Sequence, residues 1–189
     1  LSKKLRASID ASDYIFLTFG SSFSYRKNRT QSLVANCHKQ AAKLFNKEFR
    51  DQSEIVAFVQ PILEHLKHKK IILTVSPVRH LRDGLLDNQV SKANLRMLCQ
   101  SLEKSSDNIV YYPSYEIFID ELRDYRFYKG DMIHPNEIGI EYIWNYFVSD
   151  FISKNTVMQM KQYEKLRKSI DHRPLKENDL NYFNHLNSL

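Results

Sequence analysis

Cysteine is scarce in these 189 residues, and only Cys37 and Cys99 are present. The two stand far apart with no second cysteine close to either, so the closely spaced thiols of a zinc site are lacking. Two distant cysteines also make no disulfide framework of the kind that stabilises small secreted domains. We therefore expect reduced thiols, no metal and no cofactor, and we favour a cytoplasmic location.

Long apolar runs are lacking as well. The longest, YIFLTF and IILTV, have the length of strands, whereas a membrane span requires about 20 apolar residues. The opening segment, LSKKLRASID, is charged and amphipathic, unlike the apolar core of a secretory signal. We expect no membrane partner. Because the sequence opens on Leu1 instead of methionine, we also interpret it as processed or as a fragment.

Charge of one sign does not dominate the sequence. Lysine and arginine total 28 and aspartate and glutamate total 22, which gives a net charge of +6. The positive residues are scattered along the chain in short groups. A scattered excess is typical of a solvated surface, whereas nucleic-acid-binding proteins concentrate their positive charge on one face. We expect no nucleic-acid partner.

Three apolar runs predict buried strands. The run at 13–20 ends at Gly20 and is typical of a central strand of a parallel sheet, buried on both faces. Residues 69–77 and 108–114 predict two further strands of the same kind. Residues 21–52 lie between the first two runs and are expected to be mostly irregular.

Periodic apolar positions predict helices between and after these strands. Their expected starts are at Asp51, where Glu54 completes a capping box, at Ser91 and at Pro135. Strands that alternate with helices predict an α/β fold with a parallel sheet. We expect one α/β domain over 1–152 and a helical C-terminal extension over 153–189 that packs on it.

Functional side chains of such sheets collect in the loops at the carboxyl ends of the strands. In the segment DMIH, Asp131 can hydrogen-bond one ring nitrogen of His134 and leave the other nitrogen to act as a general base. The same spacing also occurs in loops that start helices, where the histidine is merely hydrogen-bonded. A metal site would need His38 and His80 to be recruited by folding, and nothing local supports it.

Seven segments, taken in this order, resemble the GSCFA family of bacterial proteins, which is related to the SGNH/GDSL hydrolases: LTFGSSFSYR, VANCHK, TVSPVRHLRDGL, NQVSKANL, YYPSYEI, DELRDYRFY and DMIHPNEIGIEYIW. The match spans about residues 12–150. The resemblance implies a flavodoxin-like three-layer α/β/α fold and a Ser-His-Asp hydrolase site. The implied activity is that of an ester hydrolase or acyl transferase.

The resemblance also implies roles for particular residues. In SGNH-type sites the histidine and aspartate come from a D-x-x-H block near the end of the domain, which Asp131 and His134 match. Oxyanion donors come from a glycine and an asparagine, for which Gly20 and Asn36 are the candidates. The further candidates for substrate binding are His38, Arg79 and His80.

The sequence departs from the family at the nucleophile. The Gly-Ser-Cys-Phe-Ala segment that names the family does not occur in it. The segment GSSFS at 20–24 imitates it but corresponds better to a later family stretch, so Ser21 is only a candidate nucleophile. We expect the chain to be the C-terminal portion of the α/β domain and to be inactive alone. The strand at 13–20 is then left with an exposed apolar edge, through which copies can associate.

Two functions remain as hypotheses. The first is hydrolysis or transfer of an acyl group on a small-molecule or glycan ester, such as an acylated carbohydrate. The alternative is a non-catalytic module that binds a ligand or carbohydrate on the same fold. A homo-oligomer through the edge of strand 13–20 is compatible with both.

Overall fold

The structure is a computed structural model that describes residues 2–34 and 40–171. The strands in this part of the chain are β1 (Tyr14–Phe19), β2 (Phe23–Lys27), β3 (Leu33–Val34), β4 (Phe45–Phe49), β5 (Lys70–Val75) and β6 (Ile109–Tyr111). The helices are α1 (Ser2–Ala11), α2 (Gln52–His65), α3 (Leu85–Ser105), α4 (Ser114–Glu116), α5 (Glu137–Phe151) and α6 (Lys154–Asp171). A π-helical turn at Ile117–Glu121 continues α4.

A parallel sheet with the strand order β1-β5-β6 forms the centre of the fold. Tyr14 pairs with Lys70 at the start of β1, and Ile71 pairs with Ile109 on the other side of β5. The sheet is flanked by helices, which confirms the predicted α/β class and is consistent with a flavodoxin-like α/β/α arrangement followed by C-terminal helices. The three strands predicted from apolar runs are all present in this sheet.

The core lies on the face of the sheet that α2 and α3 cover. It is built from buried aliphatic side chains of both helices and of strands β5 and β6: Leu63, Ile71, Leu73, Val75, Leu95, Leu98, Leu102 and Ile109. Each such side chain contributes about 1.5–3 kcal/mol when it is fully removed from water. The predicted capping box starts α2, since Asp51 accepts from the Glu54 N–H at 2.9 Å and Glu54 accepts from the Asp51 N–H at 3.0 Å.

The prediction that residues 21–52 are mostly irregular is wrong. They contain an antiparallel sheet with the order β3-β2-β4. Its strands are short, and β2 and β4 carry charged residues, so no apolar run marks them. They are joined by cross-strand pairs, in which the rings of Phe23 and Phe49 meet edge to face at 5.4 Å and Arg26 donates to Glu48 at 2.8 Å.

Helix α3 begins at Leu85, earlier than the predicted start at Ser91. Gly84 precedes it with a φ of 81°, which ends the helical turn at Leu81–Asp83. Leu85 and Leu86 at the new start are exposed, so the apolar periodicity of the buried face begins only after them. Ser91 lies inside the helix and is buried.

Two compact units make up the chain, Leu1–Ile143 and Trp144–Leu189. The first contains both sheets. In the second, the rings of Trp144 and Phe147 stack at 5.5 Å and those of Phe147 and Phe151 at 4.9 Å. Of the helices within 2–34 and 40–171, none is both long and apolar enough to cross a membrane.

We predict that Leu98→Ala lowers the free energy of unfolding by about 2–5 kcal/mol, because Leu98 is fully buried in the core and its truncation leaves a cavity. Met97 is its neighbour on the exposed side of α3. Met97→Ala should therefore change stability by less than about 0.5 kcal/mol. Urea unfolding followed by circular dichroism measures both variants, and equal losses would contradict the placement of the core.

Among the described strands, β1 lies at an edge of the parallel sheet, as expected from the departure from the family, and not at its centre as the apolar run alone suggested. Tyr14 and Phe16, on the face away from the core, are 62% and 56% exposed. An apolar edge strand favours pairing with another chain. We propose that copies of the protein associate along β1.

Sedimentation velocity over a dilution series tests this association. Tyr14→Lys should shift the protein toward monomer, since a charge on an edge strand disfavours pairing. Tyr163→Lys, at an equally exposed position of α6, serves as the control. A native protein that sediments as a monomer at every concentration would refute self-association through β1.

Candidate functional site

A cavity of about 680 Å³ opens at the carboxyl ends of β1 and β5. One wall consists of Ser21 and the first residues of β2, which follow β1. A second wall is the loop after β5, from Val78 to Asp83. Ile133 and His134 close a third side from the loop before α5. Parallel strands place their carboxyl ends at one edge, which is why segments distant in sequence meet here.

The loop before α5 is folded tightly back on itself. The Lys129 N–H donates to the His134 carbonyl at 2.8 Å, and Tyr128 and Pro135 form an antiparallel bridge. Met132, between them, has a φ of 59°, in the left-handed region that non-glycine residues rarely adopt. This turn places the Asp131 side chain within hydrogen-bonding distance of the backbone N–H and the ring of His134.

Asp131 and His134 are hydrogen-bonded side chain to side chain. Asp131 Oδ2 lies 2.7 Å from His134 Nδ1, and Asp131 Oδ1 accepts the backbone N–H groups of His134 at 3.0 Å and Ile133 at 2.8 Å. These bonds, the His134 backbone N–H first, lower the pKa of Asp131 to about 2. An ionised carboxylate only accepts, so Nδ1 carries the proton. Nε2 then has a free lone pair, and it makes no hydrogen bond to any described residue.

Asn136 fixes this loop to the start of α5. Its Nδ2 donates to the Arg126 carbonyl at 2.6 Å, and its Oδ1 accepts the Gly139 N–H at 3.0 Å. A side chain at 139 would be crowded, since an added Cβ would lie 3.1 Å from both the Phe118 ring and the Phe127 carbonyl oxygen and these neighbours would have to shift. The local sequence HPNEIG therefore has asparagine where Asn136 caps α5, and glycine where Gly139 lies close to Phe118 and Phe127.

Beneath the cavity lies a lysine that sequence reasoning missed. Lys92 is 1% exposed, and its Nζ donates to the carbonyls of Gly20 at 2.7 Å and Ser76 at 2.6 Å, just past the ends of β1 and β5. Burial lowers its pKa to about 8, against the opposing influence of the Asp83 carboxylate. The sequence did contain a signal for the burial of this lysine, because Lys92 lies on the same face of α3 as the buried Leu95.

Ser21 lines the cavity together with His134, but the two side chains do not hydrogen-bond. The Ser21 Oγ accepts the Phe23 N–H at 3.1 Å and lies 3.5 Å from the Ser91 Oγ. Ser22 is buried instead and is tied to α3, where its N–H donates to the Ser91 Oγ at 2.7 Å. The serine pair therefore joins the end of β1 to α3, with Ser21 as the member that faces the cavity.

Arg79 and His80 both lie in the cavity wall. Arg79 stacks over the ring of Tyr128 at 4.3 Å and donates to the Met132 carbonyl at 3.3 Å, so it connects the loop after β5 to the loop of His134. The ring of His80 packs against Gly20. Burial lowers the pKa of His80, and the positive charge of Lys92 lowers it further.

Of the other predicted site residues, Gly20 is the one that the structure describes. Gly20 is beneath the cavity, with its carbonyl bound to Lys92, and is not among the described lining residues. Asn36 and His38 fall outside the described residues. Arg82, which no sequence pattern indicated, does line the cavity. Within the described ranges, no group of three or more His, Cys, Asp or Glu side chains could hold a metal ion.

Comparison with known proteins identifies the family of this chain and no specific function. The family model described as "GSCFA family" matches residues 1–147. No curated protein and no solved structure matched the chain. Because the family match covers most of the sequence, the chain belongs to the GSCFA family.

We predict a pH-dependent contribution of Lys92 to stability. Its pKa is about 8 in the folded protein and 10.5 ordinarily, so the unfolded chain holds this proton more tightly. Burying the charge of Lys92 therefore costs the fold most stability below pH 8, and this cost disappears as the pH rises through about 10.5. The stability of the native protein relative to Lys92→Met should rise across that interval.

Urea unfolding at a series of pH values measures this difference. Burial raises the pKa values of Cys99 and Tyr111, so these groups lower the stability of both proteins at high pH. The difference in stability between the native protein and Lys92→Met cancels their contribution. Lys104→Met, at an exposed position of the same helix, serves as the matched control. A difference between native protein and Lys92→Met that stays flat with pH would contradict a depressed pKa at Lys92.

Proposed function

We propose that this protein is an SGNH-like ester hydrolase or acyl transferase that acts on an acylated carbohydrate or a similar ester. The observation that carries the proposal is the 2.7 Å contact between Asp131 Oδ2 and His134 Nδ1 at the rim of the cavity. The carboxylate fixes the tautomer and leaves Nε2 available. Apolar side chains of the cavity, among them Phe23, Val78 and Ile133, supply a surface for an acyl chain.

In the proposed reaction, His134 Nε2 takes the proton from a hydroxyl group as that oxygen attacks the ester carbonyl. Asp131 stabilises the protonated ring while the negative charge develops on the substrate. The ring then returns the proton to the departing alkoxide. The acyl group passes finally to water in a hydrolase or to a second hydroxyl in a transferase.

Two hydroxyls are candidates for the nucleophile. Ser21 lines the same cavity as His134. The second is the serine of the family's Gly-Ser-Cys-Phe-Ala segment, which these 189 residues do not contain. The resemblance favours the second, and we therefore expect the chain on its own to turn over esters weakly or not at all.

Release of 4-nitrophenol from its acetate and butyrate esters, and of acetate from an O-acetylated monosaccharide, tests this proposal. Each would be measured for the 189-residue chain and for the chain extended at its N-terminus with a family segment that contains Gly-Ser-Cys-Phe-Ala. His134→Ala should reduce kcat/KM by about 10²–10⁴-fold, because a general base is lost. His65→Ala, at an exposed position near the end of α2, should leave kcat/KM unchanged.

The outcomes separate the hypotheses. Activity that Ser21→Ala abolishes identifies Ser21 as the nucleophile, and activity that requires the added segment identifies its serine. If both proteins are folded and neither cleaves any of the three esters, the hydrolase proposal is wrong. Esters that shift the melting temperature without being cleaved would favour the non-catalytic binding module.

A further inference from the structure

The cavity carries positive charge that no described residue neutralises. The guanidinium groups of Arg79 and Arg82 both line it, and neither forms an ion pair with a described residue. Asp83 is the acidic residue among the described lining residues. Its side chain is only 5% exposed and pairs with Lys47 Nζ at 2.7 Å, so it is already compensated.

Arg79 is held in place in a way that suits ligand binding. Its guanidinium lies 4.3 Å from the centre of the Tyr128 ring and 5.3 Å from that of Tyr125. The bond to the Met132 carbonyl uses one of its five N–H donors. A guanidinium fixed by stacking loses little freedom when it binds an anion. Because Met132 lies in the same tight loop as His134, an anion at Arg79 would be bound beside the candidate base.

Arg82 differs in being exposed at the edge of the same cavity. It can turn toward a ligand that Arg79 has already positioned. His80 does not substitute for either arginine near neutral pH, because burial and the charge of Lys92 favour its neutral form. The charge available to a ligand is therefore that of the two guanidinium groups.

We propose that the cavity selects esters that carry an anionic group, a carboxylate, phosphate or sulfate, which Arg79 and Arg82 bind while the ester bond lies at His134. Charge-assisted hydrogen bonds from a guanidinium to such a group are among the strongest in proteins. The apolar walls strengthen them by excluding water. This inference rests on the proposed function, because it names the substrate class of the same site.

Monomethyl succinate and dimethyl succinate form a matched pair of probes, since they differ by one methyl group and one negative charge. Titration calorimetry or the shifts of the histidine ring signals in NMR spectra measure their binding without any turnover. We expect dimethyl succinate to bind at least about tenfold more weakly, which is the scale of one charge-assisted hydrogen bond. Salt should weaken the binding of monomethyl succinate alone.

Three variants assign the effect to the cavity. Arg82→Gln and Arg79→Gln should each weaken the binding of monomethyl succinate about tenfold or more. Arg6→Gln removes the same charge from an exposed position of α1. This helix precedes the amino end of β1, whereas the cavity lies at its carboxyl end, so the variant should leave the binding of monomethyl succinate unchanged. Should Arg79→Gln lower the melting temperature, Arg79→Lys decides in its place, because it keeps the charge and loses the planar fork.

Competition by inorganic phosphate assigns the anion class. Phosphate that displaces monomethyl succinate extends the site to phosphorylated esters, and phosphate that does not displace it removes phosphate from the anions that the site binds. The inference is wrong if the two succinate esters bind equally, if neither binds, or if Arg6→Gln weakens binding as much as Arg82→Gln does. The proposed function would survive that failure wherever His134-dependent cleavage of the neutral esters is observed.

Discussion

The buried ammonium group of Lys92 is the interaction on which the site depends. A lysine that stays charged when buried this deeply needs hydrogen bonds to its ammonium group, and here two backbone carbonyls accept at 2.7 Å and 2.6 Å. Those carbonyls belong to Gly20 and Ser76, each just beyond the end of a neighbouring strand. One side chain from α3 thus ties together the ends of β1 and β5, from which two walls of the cavity continue.

The third wall depends on a different constraint, the tight turn of the loop before α5. Asn136 and Gly139 anchor that turn to the helix, and Asp131 holds its backbone and the His134 ring together. Arg79 then joins this wall to the loop after β5 through the Met132 carbonyl. The loop that carries His134 is therefore held by its own hydrogen bonds and by the bond from Arg79 in the loop after β5.

The sequence predicted the features that depend on local patterns of residues. Apolar runs located all three strands of the parallel sheet, and the spacing of Asp131 and His134 indicated their hydrogen bond. The short strands β2, β3 and β4 were missed, because pairing across strands stabilises them and no apolar run accompanies them. Arg82 was missed for a related reason, since only the folded chain shows that this loop arginine lines the cavity.

Two of the described histidines line the cavity, and their surroundings differ in a way that favours one of them as the proposed base. A proton on His80 would lie near the ammonium group of Lys92 and in a partly buried position, and both lower its pKa. A proton on Nε2 of His134 would be compensated by the ionised carboxylate of Asp131, 2.7 Å from the other ring nitrogen. The charge of Lys92 that holds the strand ends together also disfavours His80 as the proton acceptor. The buried charge of Lys92 therefore both connects the strand ends and favours His134 over His80 as the proposed base.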